Sequence, residues 1–295
     1  MYLFQKIEEL TSMYHDARKN IGEFILNQDI DLTNYSMKEI AQMTYTSKTT
    51  LVRFAKTLGF SGWNDFMKAY VKESLYREKY KFSIDVNQPF QKNDTIDEML
   101  QNIAQLEIET IEKTKDLIDP QVLKQAVDYL LNASRIVVFC ANNNIHLASL
   151  FKNKMLAIEK NVVVAQDGDA TFWSTLLNEF DCAIIISYSG NNEYRDPECY
   201  IQRLKERNVK VIGITSEGDN YIHNHVDCLF TMASQEKLYS KIASFSTEQS
   251  VMYILNIIFS YYFMNDYDNN YLKRIHKSRT YENDRKSILH EVNED

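Results

Sequence analysis

Glycine and proline are scarce in this sequence, with seven glycines and three prolines among 295 residues. Because these two residues form most tight turns, their scarcity favours a chain with many helices. The four cysteines are far apart and lack the spacing of metal ligands: Cys140, Cys182, Cys199 and Cys228. We therefore expect reduced thiols in a cytoplasmic protein, with no metal site and no other cofactor.

Long apolar runs are absent as well. The longest strongly apolar segment, residues 251–264, is shorter than a membrane span and contains Asn256. It therefore predicts a buried helix of a globular domain. The first residues lack the basic patch and apolar stretch of a signal peptide, so we expect no membrane partner.

The net charge of −8 is unevenly distributed. Residues 35–81 carry nine Lys or Arg and four Asp or Glu, which leaves the rest of the chain strongly acidic. A basic module on an acidic body is expected when only one domain meets phosphate groups. A chance fluctuation in a solvated surface would give the same count.

Two domains follow from the change in hydrophobic period. Residues 1–80 have a helical period throughout, and residues 81–95 form a polar stretch with Pro89 that we interpret as a linker. Helices are predicted at residues 96–118 and from Asp119-Pro120 to about residue 132.

Five short apolar runs then alternate with helical segments. The runs are residues 136–140, 162–165, 182–187, 209–215 and 228–231, and the helices between them are residues 145–160, 170–178, 194–207 and a short one near 220. This alternation predicts a doubly wound α/β domain, residues 96–264, with a five-stranded parallel sheet. The apolar helix 246–264 should pack on that sheet. The polar tail, residues 265–295, is either a surface helix or partly disordered.

The N-terminal domain contains a helix-turn-helix pattern. Residues 36–43 make two helical turns, residues 44–46 a break, and residues 47–58 a second helix. With Leu51, Phe54 and Leu58 turned inward, the outward face carries cations and short polar or methyl groups. The candidate DNA-binding residues are Ser47, Lys48, Thr49, Thr50, Arg53 and Lys56, with Val52 on the same face. A helical hairpin with a solvated basic face is the alternative.

The same segment resembles the N-terminal domain of RpiR-type regulators. The resemblance lies in Ile40-Ala41, Ser47, Thr50, Val52-Arg53-Phe54, Leu58-Gly59-Phe60, Gly62 and Trp63, and it extends upstream through residues 17–26. It implies a DNA-binding transcription regulator. The family usually has Gly in the turn, where this chain has Tyr45. Either Tyr45 adopts a left-handed conformation, at a cost of about 1 kcal/mol, or the turn is shaped differently.

A second candidate site follows the third strand, where Ser187-Tyr188-Ser189-Gly190-Asn191-Asn192 precedes a predicted helix. Ligands of open α/β sheets bind beyond the carboxyl ends of the strands, and such a loop offers hydroxyl and N–H groups to an anion. The motif resembles the phosphate loop of the sugar isomerase (SIS) domain, with Asn192 in place of the family's Thr. The resemblance spans residues 119–264 and implies that Ser187, Ser189, Gly190 and Asn192 bind a phosphosugar.

Two departures from the SIS pattern concern the same site. The first sheet loop, usually Gly-rich, reads Asn142-Asn143-Asn144 here, whose amides either bind sugar hydroxyls or cap the next helix. Glu248 occupies a position where family members often carry Arg, and its acidity disfavours a bound anion.

Together the resemblances imply a regulator of carbohydrate-metabolism genes, not an enzyme, which senses a phosphorylated sugar. We expect a homodimer or homotetramer on a two-fold site in double-stranded DNA. One alternative is a SIS-type sugar-phosphate isomerase with an accessory helical domain, whose base would be Glu193, His146, His223, His225 or Glu248. The other alternative is a helical adaptor that binds protein. It fits the apolar stripe of Leu51, Phe54 and Leu58 but not the positive charge of residues 35–81.

Overall fold

The computed structural model describes residues 3–27, 30–166, 168–218 and 220–282. Its first part is wholly helical. The helices are α1 (Leu3–Met13), α2 (Ala17–Leu26), α3 (Met37–Met43), α4 (Lys48–Thr57) and α5 (Trp63–Lys79), with a 3-10 turn at Leu32–Asn34. None of the described helices is long and apolar enough to cross a membrane.

Local side-chain bonds explain where the two helices of the helix-turn-helix begin. Ser36 and Glu39 form a reciprocal capping box at the start of α3. Ser47 caps α4 by accepting a hydrogen bond from the backbone N–H of Thr50 at 3.1 Å. Behind them, Phe66 is fully buried among the rings of α4 and α5, including Phe54 with ring centroids 6.0 Å apart. This core sets the angle between the helices.

In the turn between α3 and α4, the backbone of Tyr45 adopts the left-handed conformation. Tyr45 has φ +53°, its N–H donates to the carbonyl of Gln42 at 3.1 Å, and Thr46 N–H donates to Ala41 at 2.8 Å. This pair of bonds is the Schellman motif that ends many helices, normally with Gly in the left-handed position. Of the two alternatives for Tyr45, the left-handed conformation is therefore the one observed.

The second part is an α/β domain. It contains α6 (Ile96–Leu117), α7 (Pro120–Asn132), β1 (Ile136–Cys140), α8 (Asn144–Leu156), β2 (Val162–Ala165), α9 (Ala170–Leu176), β3 (Cys182–Ser187), α10 (Ile201–Glu206), β4 (Lys210–Ser216), α11 (Tyr221–His225), β5 (Cys228–Met232), α12 (Phe245–Met264) and α13 (Tyr267–Glu282). The predicted fold class, an all-α domain followed by a doubly wound α/β domain, is confirmed. Residues 283–295 of the predicted tail lie outside the described residues.

All strand pairings are parallel, in the order β2-β1-β3-β4-β5. Alternate side chains of β3 enter two different cores, with Ile184 on the face covered by α7, α8 and α12 and Ile185 on the other face. This two-sided burial explains why the strands read as continuous apolar runs. The chain leaves β1 toward one edge of the sheet and β3 toward the other.

The helix predicted at residues 194–207 begins later than expected. A 3-10 turn at Glu198–Tyr200 leads into α10, and residues 188–197 are irregular. The carboxamide oxygen of Asn192 accepts a hydrogen bond from the N–H of Tyr194 at 3.2 Å. Such local bonds compete with helix formation and hold the chain in a turn. Our expectation of a helix directly after the Ser187–Asn192 loop was wrong.

The loop between β5 and α12, residues 233–244, contacts the helical domain. The buried carboxylate of Glu8 in α1 accepts hydrogen bonds from three consecutive backbone N–H groups of this loop, those of Leu238, Tyr239 and Ser240, at 2.6, 3.3 and 3.0 Å. Gln235 donates to the carbonyls of Arg77 and Tyr80, both at 3.1 Å. We call this segment the bridging loop.

Candidate functional site

The helix α4 separates its buried and exposed side chains as the sequence predicts. Leu51, Phe54 and Leu58 are buried in the helical core. The predicted DNA-binding residues Ser47, Lys48, Thr49, Arg53 and Lys56 are exposed, and Thr50 is half-buried. The structure thus gathers these residues on one outward face.

The cations of this face are available for a ligand. Within the described parts of the chain, no Asp or Glu forms an ion pair with Lys48, Arg53 or Lys56. The hydroxyl of Ser47 is occupied by the helix cap, so its contribution to α4 is first of all structural. A helix with free cations and short polar groups can neutralise phosphates and reach base edges.

The second candidate site lies at the switch point of the sheet. The parallel strands β1 and β3 are neighbours, with Cys140 opposite Ile186, so the loops that follow them leave the same edge side by side. The chain turns in opposite directions from β1 and β3, and doubly wound sheets generally bind ligands at such a switch point. The structure therefore brings the Asn142–Asn144 loop and the Ser187–Asn192 loop together at one edge.

The Ser187–Asn192 loop is held against the neighbouring elements. The carbonyl of Tyr188 accepts a hydrogen bond from Ser216 N–H at 3.2 Å, and the carbonyl of Gly190 accepts one from Ile222 N–H at 3.0 Å. Gly190 has φ +62°, and a Cβ atom there would lie 2.3 Å from the Thr215 hydroxyl. Only glycine fits this position, so the loop is pre-shaped.

The first sheet loop is tied to α12. Asn142 adopts a left-handed conformation with φ +55°, which Asn tolerates better than most residues. Asn143 precedes α8 but makes no side-chain cap. Its amide instead donates to a carboxylate oxygen of Glu248 at 2.8 Å. Glu248 therefore positions the first loop, and the capping role considered for Asn143 is not observed.

Glu236 is the residue of this region that sequence reasoning missed. It is fully buried, and its carboxylate accepts hydrogen bonds from the N–H and hydroxyl groups of Ser246 and Thr247 and from Lys241 Nζ, at 2.7–3.0 Å. It thus caps the first turn of α12, whose own N-cap residue makes no side-chain bond. Glu236 lies in a polar loop, so no local pattern marked it.

Glu198 is a second residue that the sequence did not indicate. It is 2% exposed, and burial raises the pKa of its carboxyl, an effect that a hydrogen bond from Ser187 opposes. It lies behind the phosphate-loop candidate, where it limits the freedom of the Ser187 hydroxyl. Glu198 follows Asn192 by six positions, and no sequence motif includes it, so the sequence did not predict this contact.

The candidate bases of the isomerase alternative are not assembled with partners that would mark a catalytic group. His225 stacks on the ring of Tyr221 and bonds its carbonyl at 2.7 Å. Glu248 bonds Asn143, while His146, His223 and Glu193 are exposed. Among the described residues, no group of three or more His, Cys, Asp or Glu could hold a metal ion.

The site candidates of the two domains are linked through the bridging loop. The hydroxyl of Tyr188, within the Ser187–Asn192 loop, donates to the carbonyl of Glu236 at 2.5 Å. Residues 238–240 of the bridging loop, which follow Glu236, donate hydrogen bonds to Glu8 of the helical domain. Tyr188 was an unspecified position of the loop motif, so its role was not predicted.

Comparisons with known families match both parts of the chain. Residues 1–77 match the helix-turn-helix domain of the rpiR family, and residues 129–260 match the SIS domain. Fold, basic helix and matched domains define a DNA-binding transcription regulator with a sugar-isomerase-like domain. The chain thus has the domain composition and domain order of the RpiR-type transcriptional regulators.

Relatives match most of the chain. An uncharacterized HTH-type transcriptional regulator of Clostridium perfringens is 24% identical over 88% of this chain and 91% of that protein. The HTH-type transcriptional regulator HexR of Pseudomonas aeruginosa is 23% identical over 86% and 87%. These relatives are named as regulators.

Solved structures share the fold. The Vibrio vulnificus NanR protein, complexed with ManNAc-6P, is 16% identical with a TM-score of 0.60 and covers 97% of this chain and 100% of its own. A candidate sugar-phosphate isomerase of Listeria monocytogenes is 21% identical with a TM-score of 0.51, covering 63% of this chain and 100% of its own. At these identities the likeness concerns the fold alone.

The substitution Glu236→Ala should destabilise the protein by about 3–5 kcal/mol, because it leaves the half-buried Lys241 and two buried backbone N–H groups of α12 without their partner. Denaturant unfolding of the intact chain measures the loss. Glu179→Ala, at an exposed glutamate, is the matched control and should change stability by less than about 0.5 kcal/mol. Equal effects of the two substitutions would show that the Glu236 cap contributes nothing.

Proposed function

We propose that this chain is a transcription regulator, not an enzyme, that binds a two-fold site in double-stranded DNA and responds to a phosphorylated sugar. The exposed, unpaired cations on α4 are the observation that carries the DNA-binding assignment. In this assignment Arg53 and Lys56 contact phosphates, and Lys48, Thr49 and Thr50 lie at the end of α4 that enters the major groove.

The double substitution Arg53→Ala/Lys56→Ala should weaken binding to any duplex and lower the log–log salt slope by about 0.9 for each lost phosphate contact. Fluorescence anisotropy with a random-sequence duplex and with duplexes selected by the intact protein measures both effects. Lys92→Ala/Lys205→Ala removes the same charge from exposed positions elsewhere and should change little. If both double variants bind alike, α4 is not the DNA-binding surface.

The sugar-phosphate assignment is supported by the position of the two loops at the switch point and by their chemistry. Ser187, Ser189, Gly190 and Asn192 supply hydroxyl, amide and backbone groups for a phosphate. Asn142, Asn143 and Asn144 follow the neighbouring strand at the same edge of the sheet, and in this proposal they bind sugar hydroxyls. The relative complexed with ManNAc-6P has this fold, which supports a phosphosugar as the class of effector.

Phosphorylated hexoses, hexosamines or pentoses should raise the unfolding temperature of the protein more than the corresponding free sugars do, because a ligand stabilises the state that binds it. Ser189→Ala should cost about 1.5–3 kcal/mol of binding free energy by removing a hydrogen bond to the charged phosphate. A thermal-shift screen provides the measurement, with Ser12→Ala in α1 as control. No response to any phosphosugar would refute the effector assignment. Turnover of a bound phosphosugar would instead establish the isomerase function.

A homodimer or homotetramer fits this function, because one recognition helix covers too few base pairs for a specific site. The inner face of α12 is buried against the sheet, whereas α6 leaves Ile96, Leu100 and Ile108 exposed. We assign the subunit interface to this outer face of α6. Light scattering tests the assembly, since a particle of 34.7 kDa at micromolar concentration would be a monomer.

The contacts of the bridging loop offer a route from effector to DNA. A ligand that moves the Ser187–Asn192 loop also moves Tyr188, whose hydroxyl holds the Glu236 carbonyl. The bridging loop, which contains Glu236, also holds Glu8 of α1 by three hydrogen bonds. Two arrangements of this loop would therefore bias the placement of the helical domain, which is the physical requirement for coupling between sites.

Tyr188→Phe and Glu8→Gln should both reduce the factor by which the effector changes DNA affinity, because each weakens one end of this route. Titrating DNA with and without the phosphosugar gives that factor, and by linkage the DNA must change phosphosugar affinity by the same factor. Tyr194→Phe, at an exposed tyrosine two residues after the Ser187–Asn192 loop, is the control. A coupling factor unchanged in both variants would exclude the bridging loop as the route.

A further inference from the structure

The backbone of Tyr45 adopts a conformation that its side chain disfavours. Tyr45 ends α3 in the left-handed position of a Schellman motif, with φ +53°. In this region the Cβ atom of any residue other than glycine crowds the backbone, and tyrosine lacks the local hydrogen bonds by which asparagine offsets that cost. A tyrosine here lowers the stability of the turn relative to glycine.

The chain uses the same motif at three other helix ends with other residues. At the end of α4 the left-handed residue is Gly59, and at the end of α10 it is Asn208. At the end of α8 it is Glu159, whose carboxylate lies 4.0 Å from Lys273. Glycine, asparagine and a glutamate with an ionic partner each have a local physical reason to occupy the position.

Tyr45 has no such reason within its own chain. Its side chain is 93% exposed and makes no hydrogen bond, ion pair or ring contact with any residue that the structure describes. The strain in the turn is therefore not offset by packing. A residue held in an unfavourable conformation without internal compensation points to a role outside the folded chain.

The place of Tyr45 in the helix-turn-helix indicates what it meets. It lies two residues before Ser47, the N-cap of α4, and the exposed Lys48 and Thr49 follow directly. In helix-turn-helix proteins the N-terminal end of the second helix enters the major groove, so the turn before it passes close to the DNA backbone. The tyrosine hydroxyl is among the groups that donate hydrogen bonds to phosphate oxygens.

We propose that Tyr45 is a DNA-contacting residue whose hydroxyl donates a hydrogen bond to a backbone phosphate beside the site that α4 reads. This rests on the DNA-binding function proposed above. The Schellman motif holds the backbone of Tyr45 in a defined turn, so little backbone freedom is lost on binding. Because the contact is to phosphate, it adds affinity for specific and random duplexes alike.

The test compares Tyr45→Gly, Tyr45→Phe and Glu159→Gly in the intact chain. Tyr45→Gly should keep or raise the unfolding temperature, because it relieves the strained turn, and yet weaken DNA binding by about 3- to 10-fold. Tyr45→Phe should lose the same affinity, because only the hydroxyl is removed. Glu159→Gly, the same change in the same motif far from α4, should leave DNA affinity unchanged.

Wild-type affinity in either Tyr45 variant would overturn the proposed phosphate contact. If Tyr45→Gly binds DNA weakly and Tyr45→Phe binds it normally, the affinity comes from the ring and not from a hydroxyl–phosphate bond, which also overturns the proposal. The Arg53→Ala/Lys56→Ala variant, measured beside them, separates this failure from failure of the proposed function. If that double variant binds DNA weakly while both Tyr45 variants bind normally, α4 reads DNA and only the role of Tyr45 is wrong.

Discussion

The buried carboxylate of Glu236 holds together the parts of this molecule that its function requires. It replaces a local cap at the start of α12, the helix that covers one face of the sheet. Its backbone carbonyl receives the hydroxyl of Tyr188 from the candidate phosphate loop. Its loop continues into the three N–H groups that bind Glu8 of the helical domain. A charge buried in this way is tolerated only when all its bonding capacity is used, so the position of the bridging loop is narrowly defined.

The two loops of the sheet-edge site are held to different degrees. The Ser187–Asn192 loop is locked by the close packing of Gly190 on Thr215 and by backbone bonds to β4 and α11. The first loop is tied to α12 by the hydrogen bond between the exposed Asn143 and the half-buried Glu248. A ligand that competes for the Asn143 amide would therefore release the first loop from α12. Glu248 thus positions the first loop.

The basic face of α4 and the acidic body of the chain serve different purposes. Negative charge over most of the surface disfavours non-specific contact with DNA outside the helical domain. The cations of α4 have no acidic partners among the described residues, so they retain their full attraction for phosphate. The tyrosine in the turn adds to that surface at a cost in local stability. The proposed contact thus requires a backbone conformation that tyrosine disfavours.

The sequence by itself determined the elements and their order, because apolar period and local caps act over a few residues. The inward set Leu51, Phe54 and Leu58, the five strands and the start of α6 all follow from such patterns. Tertiary structure decided what depends on distant partners. No local signal connects Glu236 to α12, Glu8 to the bridging loop, or Glu248 to Asn143. Tertiary structure also decided that the chain after Asn192 turns before forming α10. Side-chain hydrogen bonds and packing there outweigh the helical preference that the apolar period indicates.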